Sequence, residues 1–226
     1  MTENNRLTPK KALRYYTYLF DFDGTLVDSM PSFISVMLRI LDENNIKYSE
    51  DIIKIITPLG YLGTAKYYVE ELGLTEPVDR LVERMNRYAF DDYAHRIQAK
   101  SGVIETVRKL EEMGADLNIL TASPHSVLDV CLKRLGIYDY FTNIWSCDDF
   151  NATKANPEIY AMAAERIGRP IGEILFLDDN YNADKTAREA GIKVCGVFDE
   201  SSREYTEEIK SVSDHYITVM TELLTL

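Results

Sequence analysis

Apolar positions recur along this chain with two different periods, and the change between them divides it. Tyr15 to Phe20 (YYTYLF) is a short aromatic and apolar run that stops at Asp21-Phe22-Asp23-Gly24-Thr25. Such a run closed by a turn former reads as a buried strand. Further on, Met30, Phe33, Ile34, Met37, Leu38 and Leu41 follow spacings of three and four, which marks one face of an amphipathic helix. Val78, Leu81, Val82, Met85, Tyr88 and Ala89 repeat the pattern. Between them, Pro58-Leu59-Gly60-Tyr61-Leu62-Gly63 reads as a loop rich in turn formers. No strand signal interrupts residues 30–96, so this stretch is expected to be a helical insert.

After Lys100-Ser101-Gly102 the pattern alternates between helix and strand, which argues for a parallel sheet built from βαβ units. A helix starting at Val103 and ending near Gly114 precedes a strand over Leu117–Leu120. Ser123-Pro124 is a helix start, with serine able to cap and proline tolerated in the first turn. A short strand around Ile144 and Trp145 follows, and Asn156-Pro157 opens another helix in the same manner. Ile174–Leu177 is an apolar strand closed by Asp178-Asp179. The next helix stops at Ala190-Gly191, and Lys193–Phe198 is a further strand.

The 226 residues suffice for one well-buried core plus an insertion, or for two small domains. A net charge of -12 argues against holding nucleic acid or an anionic membrane through a broad basic surface. A small anionic substrate then needs local help from a cation. Cys131, Cys147 and Cys195 lie far apart without a CxxC pair, and are expected to be buried free thiols. His95, His125 and His215 share no metal-binding spacing. Met1 to Lys11 is polar and lacks the apolar stretch of a secretory signal, and no segment approaches the ~20 apolar residues that span a bilayer. A cytoplasmic protein is expected.

Chemistry concentrates at the strand ends, where open α/β sheets place ligands. Asp21 and Asp23 are two apart, so in an extended segment both side chains leave the same face, and Gly24 lets the chain turn sharply beyond them. One carboxylate can attack phosphorus while the other protonates the leaving oxygen and later activates water. A bare Asp-x-Asp would more often cap a turn; DFDGTLVDS after an apolar strand favours the catalytic use. A phosphoryl group beside a carboxylate nucleophile requires cations. Lys154 and a hard metal on oxygen ligands meet that need, although Lys154 alone would read as a surface lysine. Asp178 and Asp179 repel each other unless something positive sits between them. Nothing supplies soft ligands, so magnesium is the expected metal.

Asp21 to Ser29 resembles the first motif of the haloacid dehalogenase superfamily, in its phosphatase branch, the subfamily of phosphoglycolate phosphatase and beta-phosphoglucomutase. Leu120-Thr121 resembles the second motif, whose hydroxyl bonds the transferring phosphoryl group. Lys154 in Lys154-Ala155-Asn156-Pro157-Glu158 resembles the third, where a lysine holds nucleophile and phosphate together. Asp178-Asp179 resembles the acidic fourth, which binds magnesium with the nucleophile. The likeness runs from about Tyr16 to Phe198.

The resemblance implies an α/β fold: a Rossmann-like parallel sheet core with helices on both faces, residues 1–29 and 97–226, and a small all-helical cap, residues 30–96. It implies a phosphoric monoester hydrolase acting on a small phosphorylated metabolite, with Asp21, Asp23, Thr121 and Lys154 catalytic. The implied metal-holding set is Asp21, Asp23, Asp178 and Asp179, with Asp179 the direct ligand. Two departures stand out: Ala155 replaces the usual proline after the lysine, and Asp178-Asp179 replaces the common Gly-Asp, so that Asp184 competes with Asp178 as the secondary acid. The segment Thr57–Thr64 is where substrate selection is expected. Arg80, Arg84, Arg87 and Arg96 read as a solvated face. Dehalogenase chemistry is disfavoured because Asp23 is present. A sugar phosphomutase is a closer rival, but resembling mutases carry a histidine early in the first cap helix and Met30–Asp42 contains none. A non-catalytic phospho-receiver or a scaffold is the remaining alternative.

Overall fold

In a computed structural model, residues 13–49 and 51–226 are described; the polar stretch Met1–Lys11 lies outside the described residues. The strands are β1 (Thr17–Phe20), β2 (Asp116–Thr121), β3 (Asn143–Ser146), β4 (Ile174–Asp178), β5 (Lys193–Val197) and β6 (His215–Ile217). They form one parallel sheet in the order β3-β2-β1-β4-β5-β6. The chain winds outward from β1 through β2 and β3, returns to β4, and winds out the other way. The reversal lies between β1 and β4, which is where open α/β sheets carry their ligand crevice, at the carboxyl ends of the strands.

Alternation along each strand loads both faces, as a doubly covered sheet requires. Tyr18 and Phe20 of β1, with Leu117 and Ile119 of β2, pack against Val103, Val107 and Leu110 of α5 (Val103–Glu112) and Leu128 and Leu132 of α6 (His125–Leu135). Leu19, Leu120 and Phe176 point the other way, onto Ile159 and Tyr160 of α7 (Glu158–Ile167) and Ala183 and Ala187 of α8 (Tyr181–Ala190). These helices, together with α9 (Thr206–Val212), complete the layers.

Between β1 and α5 the chain is helical: α1 (Met30–Glu43), α2 (Asp51–Ile56), α3 (Gly60–Glu70) and α4 (Val78–His95). They have a core of their own, in which Met37, Ile40, Leu41, Ile56, Tyr68, Leu81 and Met85 are buried. The expected loop at Pro58–Gly63 is instead a single 3₁₀ turn, Thr57–Leu59, running directly into α3. Gly60 makes the joint with φ of +63°, where residues bearing a Cβ are disfavoured. The turn formers thus mark a corner between helices. The two segments that connect insert and sheet pair with each other: the Asp28 N–H donates to the Gln98 carbonyl at 2.9 Å, and the Lys100 N–H to that of Leu26 at 3.0 Å.

β6 and α9 carry no strong periodicity, and the sequence pattern alone does not reveal them. Among the described residues no helix is long and apolar enough to cross a membrane. All three cysteines are buried and free, as expected.

Candidate active site

The Asp21 N–H donates to the Leu177 carbonyl at 2.8 Å, which carries the β1–β4 pairing one residue past β1. The chain then folds back at once: the Gly24 N–H bonds the Val27 carbonyl at 2.9 Å, and the N–H groups of Leu26 and Val27 bond that of Phe22. Gly24 has φ of +75°, and a Cβ there would lie 2.5 Å from Oδ2 of Asp179. Glycine is required twice over, for the backbone angle and for the close approach. The Thr25 hydroxyl completes this contact by donating to Oδ1 of Asp179 at 3.0 Å.

Asp21, Asp178 and Asp179 come together at the crevice, each able to offer a carboxylate oxygen within 4.8 Å of the others. All three are buried. Lys154 reaches in from the loop after β3, donating to Asp21 and, at 2.7 Å, to Oδ2 of Asp178. Its backbone is fixed by the Tyr160 hydroxyl, which donates to the carbonyls of Lys154 at 3.2 Å and Ala183 at 3.1 Å. That anchor restrains a loop in which Ala155 replaces the more rigid proline.

Electrostatics follow from this crowding. Burial pushes the Asp21 carboxyl up to about 7, with Lys154 opposing the shift and Asp178 and Asp23 adding to it. Asp179 is raised well above the carboxylate range, first by burial and then by Asp178 and Asp21. Burial would lower the Lys154 ammonium, but Asp178 and Asp21 hold it well above the usual lysine range. Asp184, in the first turn of α8, is fully buried with neither oxygen hydrogen-bonded, and is raised by burial and by Asp178 and Asp179. Two lysines, Lys154 and Lys100, act on four acids. Buried carboxylates in this excess, offering only hard oxygen donors, fit a divalent cation of the magnesium type.

The Asp23 side chain stands apart from these clustered carboxylates. Its Oδ1 accepts from the Ser29 hydroxyl at 2.7 Å and from that of Tyr93; its Oδ2 accepts from the Ser123 hydroxyl. Thr121, buried at the end of β2, accepts the Ser123 N–H at 3.1 Å. Ser123 therefore does not cap α6 as expected, since its hydroxyl is committed to Asp23. Asn156 does act as a cap, its Oδ1 accepting the Glu158 N–H at 3.0 Å. The arginines of the insert are largely engaged with acids: Arg84 with Glu43 and Glu76, Arg96 with Asp91 and Asp92, and Arg80 with Glu83.

Sequence reasoning missed Tyr93 and Lys100. Tyr93 is one aromatic residue among several on α4, with no local signal. Lys100 donates to the carbonyls of Gly24 and Phe198 and, at 2.8 Å, to Asp199, pinning the loop after β5 against the first motif. The turn signal at Lys100-Ser101-Gly102 draws attention to that position but not to the side chain's use.

Comparison with known proteins agrees with this fold. A pyrophosphatase, PpaX of Bacillus velezensis, is 27% identical over 184 residues, 81% of this chain and 83% of that one. A Thermotoga maritima protein assigned as a beta-phosphoglucomutase superposes with a TM-score of 0.79 at 20% identity, covering 92% of this chain and 96% of its own. YfnB of Bacillus subtilis, assigned as a HAD-hydrolase and solved with magnesium bound, gives 0.76 at 20% identity, covering 94% and 98%. The family model described as haloacid dehalogenase-like hydrolase matches residues 18–197, which spans the crevice, the insert and every residue of the acidic cluster, and the chain belongs to that family.

Proposed function

We propose that the protein is a magnesium-dependent phosphatase that hydrolyses a small phosphate monoester through an aspartyl phosphate on Asp21. The observation that carries this reading is the division of labour at one strand end. Asp21 sits with Lys154 among buried carboxylates, while Asp23, two residues on, is held apart by hydroxyl groups.

Asp21, Asp178 and Asp179 would hold the metal, with Asp184 behind them. When bound, magnesium supplies positive charge against the phosphoryl oxygens and relieves the repulsion among the acids. Lys154 keeps the Asp21 carboxylate oriented and adds a second positive charge beside the incoming phosphoryl group. The Thr121 hydroxyl bonds a phosphoryl oxygen. Asp21 attacks phosphorus, and Asp23 protonates the leaving oxygen. Asp23 then takes a proton from the water that breaks the aspartyl phosphate. Residues 30–96 act as a cap whose closure keeps bulk water from the first step. PpaX, named a pyrophosphatase, supports hydrolysis as the outcome.

The test is phosphate release from a panel of phosphate monoesters, with and without magnesium, in oxygen-18 water. Magnesium-dependent release carrying solvent oxygen is expected. Absence of release from every ester would sink the proposal. With labelled phosphate in the donor and sugar phosphates as competing acceptors, phosphate label passing mainly to a sugar bisphosphate would make the protein a mutase, and phosphate label staying on Asp21 for minutes would make it a receiver.

A further inference from the structure

We propose that Tyr93 and Ser123 are positioning residues that aim the Asp23 carboxyl at the leaving group, an inference resting on the reading of Asp23 as general acid. A carboxylate has about four acceptor sites, two on each oxygen. Ser29 and Tyr93 fill those on Oδ1, and Ser123 fills one on Oδ2. One site remains, on Oδ2. The proton given to the leaving oxygen therefore departs from Oδ2, as the bond from Asp21 to phosphorus forms and that from phosphorus to the leaving oxygen breaks. In the second step Oδ2 takes a proton from water, whose oxygen bonds phosphorus as the bond to Asp21 breaks.

Tyr93 lies on the insert, yet the core fixes its position. Arg134 of α6 donates to the Tyr93 carbonyl at 3.1 Å and also to that of Ile97. The ring stacks on Phe22, centroids 6.0 Å apart and planes within 24°. Burial, then the Asp23 carboxylate, pushes the Tyr93 phenol well above its usual range, so the hydroxyl remains a donor. Ser123 reaches the other oxygen from the loop after β2. Two donors on rigid supports, one for each oxygen, fix the plane of the carboxyl. Misaiming slows the first, phosphorylating step only where the leaving oxygen needs a proton, and kcat/KM reports that step, whereas the second step is common to every ester.

The experiment measures kcat and KM at saturating magnesium for 4-nitrophenyl phosphate, whose leaving group needs little protonation, and for an alkyl phosphate, whose leaving group does. Tyr93→Phe, which keeps the ring stack, is expected to lower kcat/KM on the alkyl ester about tenfold and on the nitrophenyl ester less than about threefold. Ser123→Ala should act in the same direction, and Ser123→Thr, which restores a hydroxyl, should recover most of the loss. If Tyr93→Phe fails to fold by its thermal midpoint, the Ser123→Ala and Ser123→Thr pair decides. Asp23→Asn is the reference. A selective loss in Asp23→Asn without one in the folded Tyr93 and Ser123 variants overturns the positioning role alone. Equal loss of kcat/KM on both esters in Asp23→Asn removes the acid assignment, and this inference with it.

Discussion

Asp21 and Asp23 leave the same strand end two residues apart, and the protein surrounds them in opposite ways. Asp21 lies in the crevice between β1 and β4 among charges: Lys154, Asp178 and Asp179. Asp23 lies toward the insert among neutral hydroxyls from Ser29, Tyr93 and Ser123. A nucleophile facing a phosphoryl group needs cations, whose charge the buried acids attract and hold. An acid and base that must change protonation twice per turnover is better placed where no fixed charge locks either form, and where hydrogen bonds alone set its direction. Charge position and bond direction are thus controlled by different parts of the fold, the first by sheet topology and the second by loops and the insert.

The contrast breaks most sharply at Asp21. Asp21→Asn keeps the shape but cannot attack phosphorus, so turnover on any ester should fall at least about a thousandfold while the circular dichroism spectrum is unchanged. Retention of more than about a tenth of wild-type kcat would remove Asp21 from the nucleophile's role.

The charged half was largely legible in the sequence, and the hydroxyl half was not. Asp21, Thr121 and Asp178 all stand at the ends of apolar runs, and parallel strands bring such ends together whatever the intervening chain does. Lys154 could be placed by its neighbours in a motif. Ser123 looked like a helix cap because Ser-Pro at a helix start usually is one. Its hydroxyl goes instead to Asp23, across 100 residues of chain. Tyr93 comes from 70 residues away along the chain, and a tertiary contact of that kind leaves no periodic trace. The joint at Gly60 shows the same limit, since turn formers signal a change of direction without saying whether a loop or a corner follows.

Within the charged half, the ranking of acids can be sharpened by metal titration. Asp179 has one oxygen bonded only by Thr25 and stands with Asp21 and Asp178, whereas Asp184 is buried outside that cluster. Asp179→Ala should weaken magnesium activation by about 10- to 100-fold, and Asp184→Ala by less. Greater damage in Asp184→Ala would reverse the order. A smaller effect is expected from Gly24→Ala, which adds a left-handed alanine at about 1–2 kcal/mol and crowds the Asp179 carboxylate. Urea unfolding should show that destabilisation, and magnesium titration a weakened site. A variant with wild-type stability and affinity would mean that the turn shifts freely, and that the first motif does not hold Asp179 in place.

His125 offers the mildest test, because it joins the two halves from outside both. It donates from Nδ1 to Asp129 at 3.0 Å and from Nε2 to Asp149 at 2.9 Å, linking the start of α6, just after Ser123, to the loop that leads to Lys154. Asp149 also accepts the Ser146 N–H at 2.9 Å, which ties the clamp to the end of β3. The hydrogen bond to Asp129, then that to Asp149, raises the His125 imidazolium above its ordinary value of 6.5. A group raised on folding contributes stability in full below its unfolded pKa and loses it as pH rises through the folded one. The contribution is therefore greatest on the acid side of 6.5 and fades above it. With 43% of the side chain exposed, water screens the pairs, and the effect should be small. Thermal midpoints of the wild type and His125→Gln should differ by a few degrees near pH 5.5 and converge by about pH 9. A difference that persists unchanged to alkaline pH would show that His125 acts by packing alone, and that no charged clamp connects the loop carrying Ser123 to the one carrying Lys154.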